Sequence, residues 1–368
     1  MLKLVRLAGF LLIGGIATPA LAEPETVEIA EDADWSHQWT AMRFPAHWGD
    51  FQREQIIQFQ ERESDISARY LDAAGDVLSI YIYRPGLANA PIWHDRALVG
   101  MGANDVMFGS DGVQGKRSAT FAPNGSKVES GLLTVLTSNG DFRSTGLAIY
   151  QAGEWLVKVR LSSRRLDPEG LEELLRKVLR TMPKLENYGK DAAYLIEPCL
   201  DEVQYTNAER FKPDPDAGPS DALGSAMMTL LGGDVLAEAE TGKSAQPYCR
   251  EGNGGSQGSV YRRPGEQESY IIAFGDSGTS AQAGPALSLD TILSEEDPDA
   301  PQRAHFTVTY STATHRRTFM PFVSLPQPNQ AGRAVFREEP VVTYKRPLGD
   351  EGPEIEIGTS VLGKSDKP

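Results

Sequence analysis

Three kinds of side chain in this 368-residue sequence could do chemistry: one serine set among glycines, two cysteines and five histidines. Ser277 stands in Gly275-Asp276-Ser277-Gly278, where a hydroxyl nucleophile would have glycine backbone beside it to stabilise an oxyanion. It would need a base. His37, His47 and His94 precede it, but each belongs to the other predicted domain. The same four residues suit a polar turn after a strand at 270–274, because Gly, Asp and Ser all favour turns. The histidines are also scattered. His37 and His47 lie ten positions apart, and His305 and His315 fall near opposite ends of a predicted hairpin turning at Thr312-Ala313-Thr314. Metal ligands sit one helical turn or one strand alternation apart, which neither pair does, so no metal site is expected.

Cys199 and Cys249 are the only cysteines. They have no Cys-x-x-Cys spacing and no histidine between them, so a redox pair or a zinc site does not fit. In an oxidising compartment they are predicted to form one structural disulfide, which in the loop-entropy view is worth about 4 kcal/mol for a loop of about 50 residues.

Three further motifs fail on their neighbours. Gly-Asp-Ser-Gly copies the core of the chymotrypsin-like protease signature, but Thr279 replaces the next glycine and no histidine has that family's surroundings. Thr241-Gly242-Lys243-Ser244 ends like a phosphate-binding loop, yet Ala237 stands where the earlier glycine is needed. The acidic run Ser294–Asp299 lacks the alternating ligands and distal Glu of a calcium loop. No cofactor is expected.

Met1 to Ala22 has the order of a cleavable secretory signal: Lys3 and Arg6, an apolar run from Leu7 to Ile16, and Ala20-Leu21-Ala22. The run is too short to span a bilayer, which takes about 20 residues, and no later segment is long enough either. The chain is therefore expected to be exported to the periplasm or beyond, as a soluble protein starting at Glu23. Loss of Lys3 and Arg6 would take the formal charge from −15 to −17. Such a balance repels phosphate backbones, so nucleic acid is an unsuitable partner.

Any site must be held by the elements around it. All five tryptophans precede residue 156 and both cysteines follow residue 198, which with Met182-Pro183 suggests domains over 23–188 and 189–348, then a polar, disordered tail over 349–368. Strands are predicted at 55–59, 66–70 and 77–83. A hairpin of 128–137 and 141–150 turns at Ser138-Asn139-Gly140, and a strand at 154–162 follows, forming an antiparallel meander with one face buried. Asp167 caps a helix from Pro168 to Arg180, with Leu171, Leu174, Leu175, Val178 and Leu179 on one side. A second helix is expected around 94–107. This domain reads as α+β, an antiparallel sheet packed by helices. The other reads as mostly β, with a short helix at 223–231, a flexible glycine-rich loop at 251–258, and strands at 259–263, 269–274, 304–311, 316–323 and 333–346.

Trp39-Thr40-Ala41-Met42-Arg43-Phe44-Pro45-Ala46-His47-Trp48, followed by six strands and two helices ending near Pro183, resembles the PsbP/Mog1 type of domain over residues 35–185. The resemblance implies a non-enzymatic protein that docks to protein partners, and it transfers no functional residue. Trp39 and Trp48 read as core or rim aromatics. The sequence thus points to an exported, non-catalytic protein that binds a protein partner or a small ligand. The alternative is a hydrolase with Ser277 as nucleophile.

Overall fold

A computed structural model describes residues 24–102, 114–212, 247–252, 258–286 and 305–358. The leader, the 223–231 helix, Thr241–Ser244, residues 253–257 of the glycine-rich loop and the acidic run at 294–299 lie outside the described residues.

Two sheets make up the frame. The first contains β1 (Glu25–Thr26), β4 (His47–Trp48), β5 (Phe51–Gln60), β6 (Asp65–Leu71), β7 (Val77–Tyr83), β8 (Gln114–Phe121), β9 (Gly131–Thr137), β10 (Ser144–Ala152) and β11 (Trp155–Ser163). Its order is β1-β5-β6-β7-β11-β10-β9-β8, antiparallel throughout, with β4 also paired to β5. A small ribbon of β2 (Trp35–Ser36) and β3 (Arg43–Phe44) lies beside it. The strands expected at 55–59, 66–70, 77–83 and 154–162 are β5, β6, β7 and β11, and the Ser138-Asn139-Gly140 turn joins β9 to β10. β8 is additional, and its Gln-Gly-Lys-Arg start gave no apolar alternation to read.

Helix α2 (Pro168–Thr181) begins where its cap was expected: Asp167 Oδ1 accepts the Gly170 N–H at 3.0 Å. Leu171, Leu175, Val178 and Leu179 are buried in one core with Leu133, Val135 and Ala148 of the sheet. Helix α1 (Ala90–Gly102) starts four residues earlier than expected, because Asn89 Oδ1 accepts the Ile92 N–H at 3.0 Å. Residues 92–97 of α1 are all buried. A helix covered on every side must lie between two layers.

The second layer is the second sheet: β12 (Cys249–Glu251), β13 (Gly258–Arg262), β14 (Tyr270–Phe274), β15 (Thr279–Pro285), β16 (Phe306–Ser311), β17 (His315–Thr318), β18 (Val342–Lys345) and β19 (Glu354–Ile357), an antiparallel meander in chain order. Tyr261, Ile271 and Ala273 of this sheet share a buried cluster with Trp93 and Ile92 of α1 and with Leu147 and Ile149 of β10. The layers therefore run α2, first sheet, α1, second sheet, and finally α3 (Pro328–Arg337), which packs on the outer face of β15 and β16.

Four expectations are corrected. The first sheet is buried on both faces in β9, β10 and β11, since α1 and the second sheet cover what was read as its solvent side. The strand expected at 333–346 divides into α3 and β18. Pro328 at the first turn and the reciprocal Gln327–Gln330 caps start a helix whose Ala331 and Ala334 fit flush against the sheet. The tail expected to be disordered from 349 contributes β19, an exposed Glu-Ile-Glu-Ile edge paired with β18. The strand at 316–323 is also shorter than expected, ending at Thr318. Among the described residues no helix is long and apolar enough to cross a membrane.

Cys199 and Cys249 are bonded to each other, with Cα atoms 4.9 Å apart. The bond ties the strap at 189–212 to β12, where Cys199 N–H also donates to Arg250 O at 2.9 Å.

Candidate functional site

The Trp39–Trp48 segment builds one wall of an open cleft. Along it Met42, Phe44, Ala46 and Trp48 point inward and are buried, while Arg43 and His47 point outward. Trp48 and Phe51 face one another across the two-residue turn Gly49-Asp50 that joins β4 to β5. The Trp48 indole leans on Tyr70 edge-on at 6.1 Å and donates from Nε1 to Thr181 Oγ1 at 2.9 Å, which fixes the strand pair against α2. Leu174, Lys177, Val178 and Thr181 recur at helical spacing and form the opposite wall.

The space between the walls is about 750 Å³, with Pro45 and Pro183 also lining it. That lies in the range of small-molecule sites. Its polar floor atoms are already satisfied, since Thr181 Oγ1 accepts from Trp48 and donates to Val178 O at 2.7 Å. Charge is confined to the rim. Arg43 is engaged by Asp34, whose carboxyl is held below its ordinary value first by that hydrogen bond and then by the Ala46 N–H. Lys177 is exposed and has no acidic partner among the described residues.

A second gathering of charged groups lies in the seam between the sheets. The strand register puts Asp65, Tyr83, Tyr81 and Lys158 on the face of the first sheet that meets the second. Lys158 Nζ lies 4.3 Å from the centre of the Tyr81 ring and 5.6 Å from that of Tyr83, and pairs with Asp276 Oδ2 at 2.7 Å. Burial raises the Asp65 carboxyl to about 7, opposed by Lys158 and reinforced by Asp276. The backbones here are in contact. Gly86 N–H donates to Gly278 O at 2.7 Å, and a Cβ at Gly86 would fall 2.3 Å from Ser311 O.

Gly275-Asp276-Ser277-Gly278 is the turn between β14 and β15 that docks into this seam. Gly278 has φ +81°, and a Cβ there would stand 2.8 Å from Pro85 Cα. Ser277 is exposed, and no histidine is hydrogen-bonded to it among the described residues. His37 binds Thr40 Oγ1 and Glu63 O, both at 2.8 Å, and burial lowers it to about 4. His94 meets Thr134 Oγ1 at 3.1 Å and is lowered to about 3 by burial, with Lys116 adding to the effect. His305 lies against Phe211 with ring centres 4.1 Å apart and planes tilted by 47°, just before β16, and His315 Nδ1 meets Thr314 Oγ1 at 2.8 Å at the start of β17, at the opposite end of the hairpin. His47 is exposed on the cleft rim.

Two sets of residues escaped the sequence reading. Lys177 and Thr181 belong to a second stripe on α2 that runs beside Leu174 and the core stripe, a signal present but hidden by the stronger one. Lys158 is a lone lysine inside the apolar run Trp155-Leu156-Val157-Lys158-Val159, which marks a face with something polar opposite. Compared with protein families, curated proteins and solved structures, the chain matches none.

Proposed function

We propose that the chain is an exported, non-catalytic binding protein whose cleft between the Pro45–Phe51 hairpin and α2 takes a small amphiphilic anion. The cleft supports this through its pairing of an apolar interior with the Lys177 ammonium on α2, the exposed Asp50 carboxylate lying on the hairpin wall instead. A chain with a formal charge of −15 has a general repulsion for anions, which the Lys177 ammonium beside Trp48 and Leu174 offsets locally. The aliphatic body of such a ligand fits against Trp48, Phe51, Leu174 and Val178, and its carboxylate reaches Lys177. The leader-like first 22 residues and the Cys199–Cys249 bond support an oxidising compartment for this binding. The resemblance of residues 35–185 to a domain that docks rather than catalyses agrees with it.

Dodecanoate is the probe. Titration into the protein should change tryptophan emission saturably, and Trp48→Phe should remove most of that change. Lys177→Gln should weaken binding about tenfold, the loss of one charge-assisted contact, without altering the thermal melt. Dodecanol should bind more weakly and ignore the Lys177 substitution. The proposal fails if no saturable signal appears, or if Lys177→Gln binds dodecanoate as the parent does.

A second experiment addresses compartment. Protein recovered from the cell envelope is expected to start at Glu23 on amino-terminal sequencing, and a start at Met1 would exclude cleavage after Ala22.

A further inference from the structure

At the seam between the sheets two carboxylates share one ammonium, while Arg96 Nε donates to Gly275 O of the turn at 2.9 Å and Arg84 pairs with Glu154 at 2.6 Å. Lys158, with its side chain 6 % exposed, is already committed to Asp276 at 2.7 Å and to the faces of Tyr81 and Tyr83. Asp276 is 54 % exposed at its side chain, so water shares in stabilising its charge. Asp65 has no such help: it is 6 % exposed, directly opposite Tyr83 in the register. The titratable groups facing it are Lys158 from β11, Tyr83 from β7 and Asp276 from the turn, while its β5 partner is the uncharged Gln60. With these charges formed, Lys158 is held by Asp276, Arg84 by Glu154 and Arg96 by Gly275 O, which leaves Asp65 as the charge with no cation in contact among the described residues, where water cannot reach it.

We infer that Asp65 is the proton-accepting member of a clasp, in which Lys158 holds the Gly275–Gly278 turn against the first sheet when Asp65 is neutral and is drawn away from Asp276 when Asp65 ionises. Protonated, Asp65 leaves Lys158 and Asp276 as a balanced pair. Ionised, it competes with Asp276 for the same ammonium and repels the Asp276 carboxylate. The turn's backbone touches residues 85–86 directly, through Gly86 with Gly278 and Pro85 with Gly278, so a weaker pair is felt at those contacts. The elevation of Asp65 to about 7 by burial places the change near neutrality.

The sign follows from linkage. A carboxyl bound more tightly to its proton in the folded state stabilises below its unfolded pKa, and that stabilisation is lost as pH rises toward 7. His37 and His94, both lowered, act oppositely and lose stability as pH falls below 6.5. A comparison with Asp65→Asn removes their contribution. The gap in denaturation midpoint between Asp65→Asn and the parent should widen in favour of the variant from pH 5 to 7 and be level above 7.5. In hydrogen exchange, the intrinsic-rate-corrected protection of the Gly86 amide should fall about tenfold from pH 6 to 8 in the parent, a coupling of ordinary size, and stay constant in Asp65→Asn. Carbon-13 NMR of the Asp65 carboxyl in the parent protein should titrate near neutrality, a readout that needs no variant to fold. An Asp65 titration near 4, or the same pH dependence of Gly86 protection with and without Asp65, would overturn the clasp.

Discussion

Trp93→Ala is expected to destabilise the protein by about 3–5 kcal/mol, read as a lower urea midpoint by circular dichroism. Trp93 is fully buried in α1, in the one cluster that contains residues of both sheets. Its removal leaves a cavity that neither rigid sheet can collapse to fill. It also strands the Leu87 carbonyl, which accepts the indole Nε1–H at 2.7 Å. Domains are stable by only about 5–15 kcal/mol, so this single change consumes a large share of the margin. Trp93→Phe, which keeps most of the ring volume, should lose about 1–2 kcal/mol, close to the hydrogen bond with a little packing. A loss below about 1 kcal/mol for Trp93→Ala would mean that α1 does not carry the contact between the layers.

Arg262→Ala is expected to destabilise by a smaller amount, about 1–3 kcal/mol at neutral pH, because it removes the buried guanidinium from two carboxylates that water still partly reaches, Asp201 being 39 % and Glu251 18 % exposed at the side chain. The Arg262 side chain is wholly buried, donating from Nε to Glu251 Oε1 at 2.6 Å and from Nη1 to Asp201 Oδ2 at 2.8 Å. Glu251 also receives the Tyr205 hydroxyl, so one guanidinium holds the strap at two points beyond the Cys199–Cys249 bond. Arg262→Lys keeps the charge but not the planar fork that reaches two carboxylates at once. It should recover about half of the loss. Urea melts of the three proteins, with the disulfide intact in each, decide the matter. Equal stability of the lysine variant and the parent would show that charge alone, not the fork, secures the strap.

The sequence by itself determined the local parts of this molecule. Asp167 and Pro168 start α2 at the expected residue, and β7 matches its expected range, because caps and apolar alternation act over a few neighbouring residues. The antiparallel sheets packed by helices were legible for the same reason. The pairing of Cys199 with Cys249 needed only that no other thiol exist. Where a segment mixed signals, tertiary packing decided. Residues 328–337 contain Val335 and Phe336, which favour a strand, but the small Ala331 and Ala334 let a helix lie close on β15 and β16. Glu354–Ile357 looked too polar to order, and pairing with β18 orders it.

The sites depended on contacts no local pattern encodes. Lys177 faces the cleft only because the Pro45–Phe51 hairpin stands across from α2, more than a hundred residues away in the chain. Lys158 meets Asp276 on the face it shares with Asp65 because two sheets stack around α1, and each looks like an ordinary strand or turn residue until they do. The Gly-Asp-Ser-Gly turn shows the difference most clearly. Its residue types suggested a nucleophile at Ser277, while the fold gives Asp276 the buried partner and Gly278 the room to approach Pro85 and Tyr83. Burial and proximity set the chemistry of a charged group, and both are properties of the packed chain, not of the spacing along it.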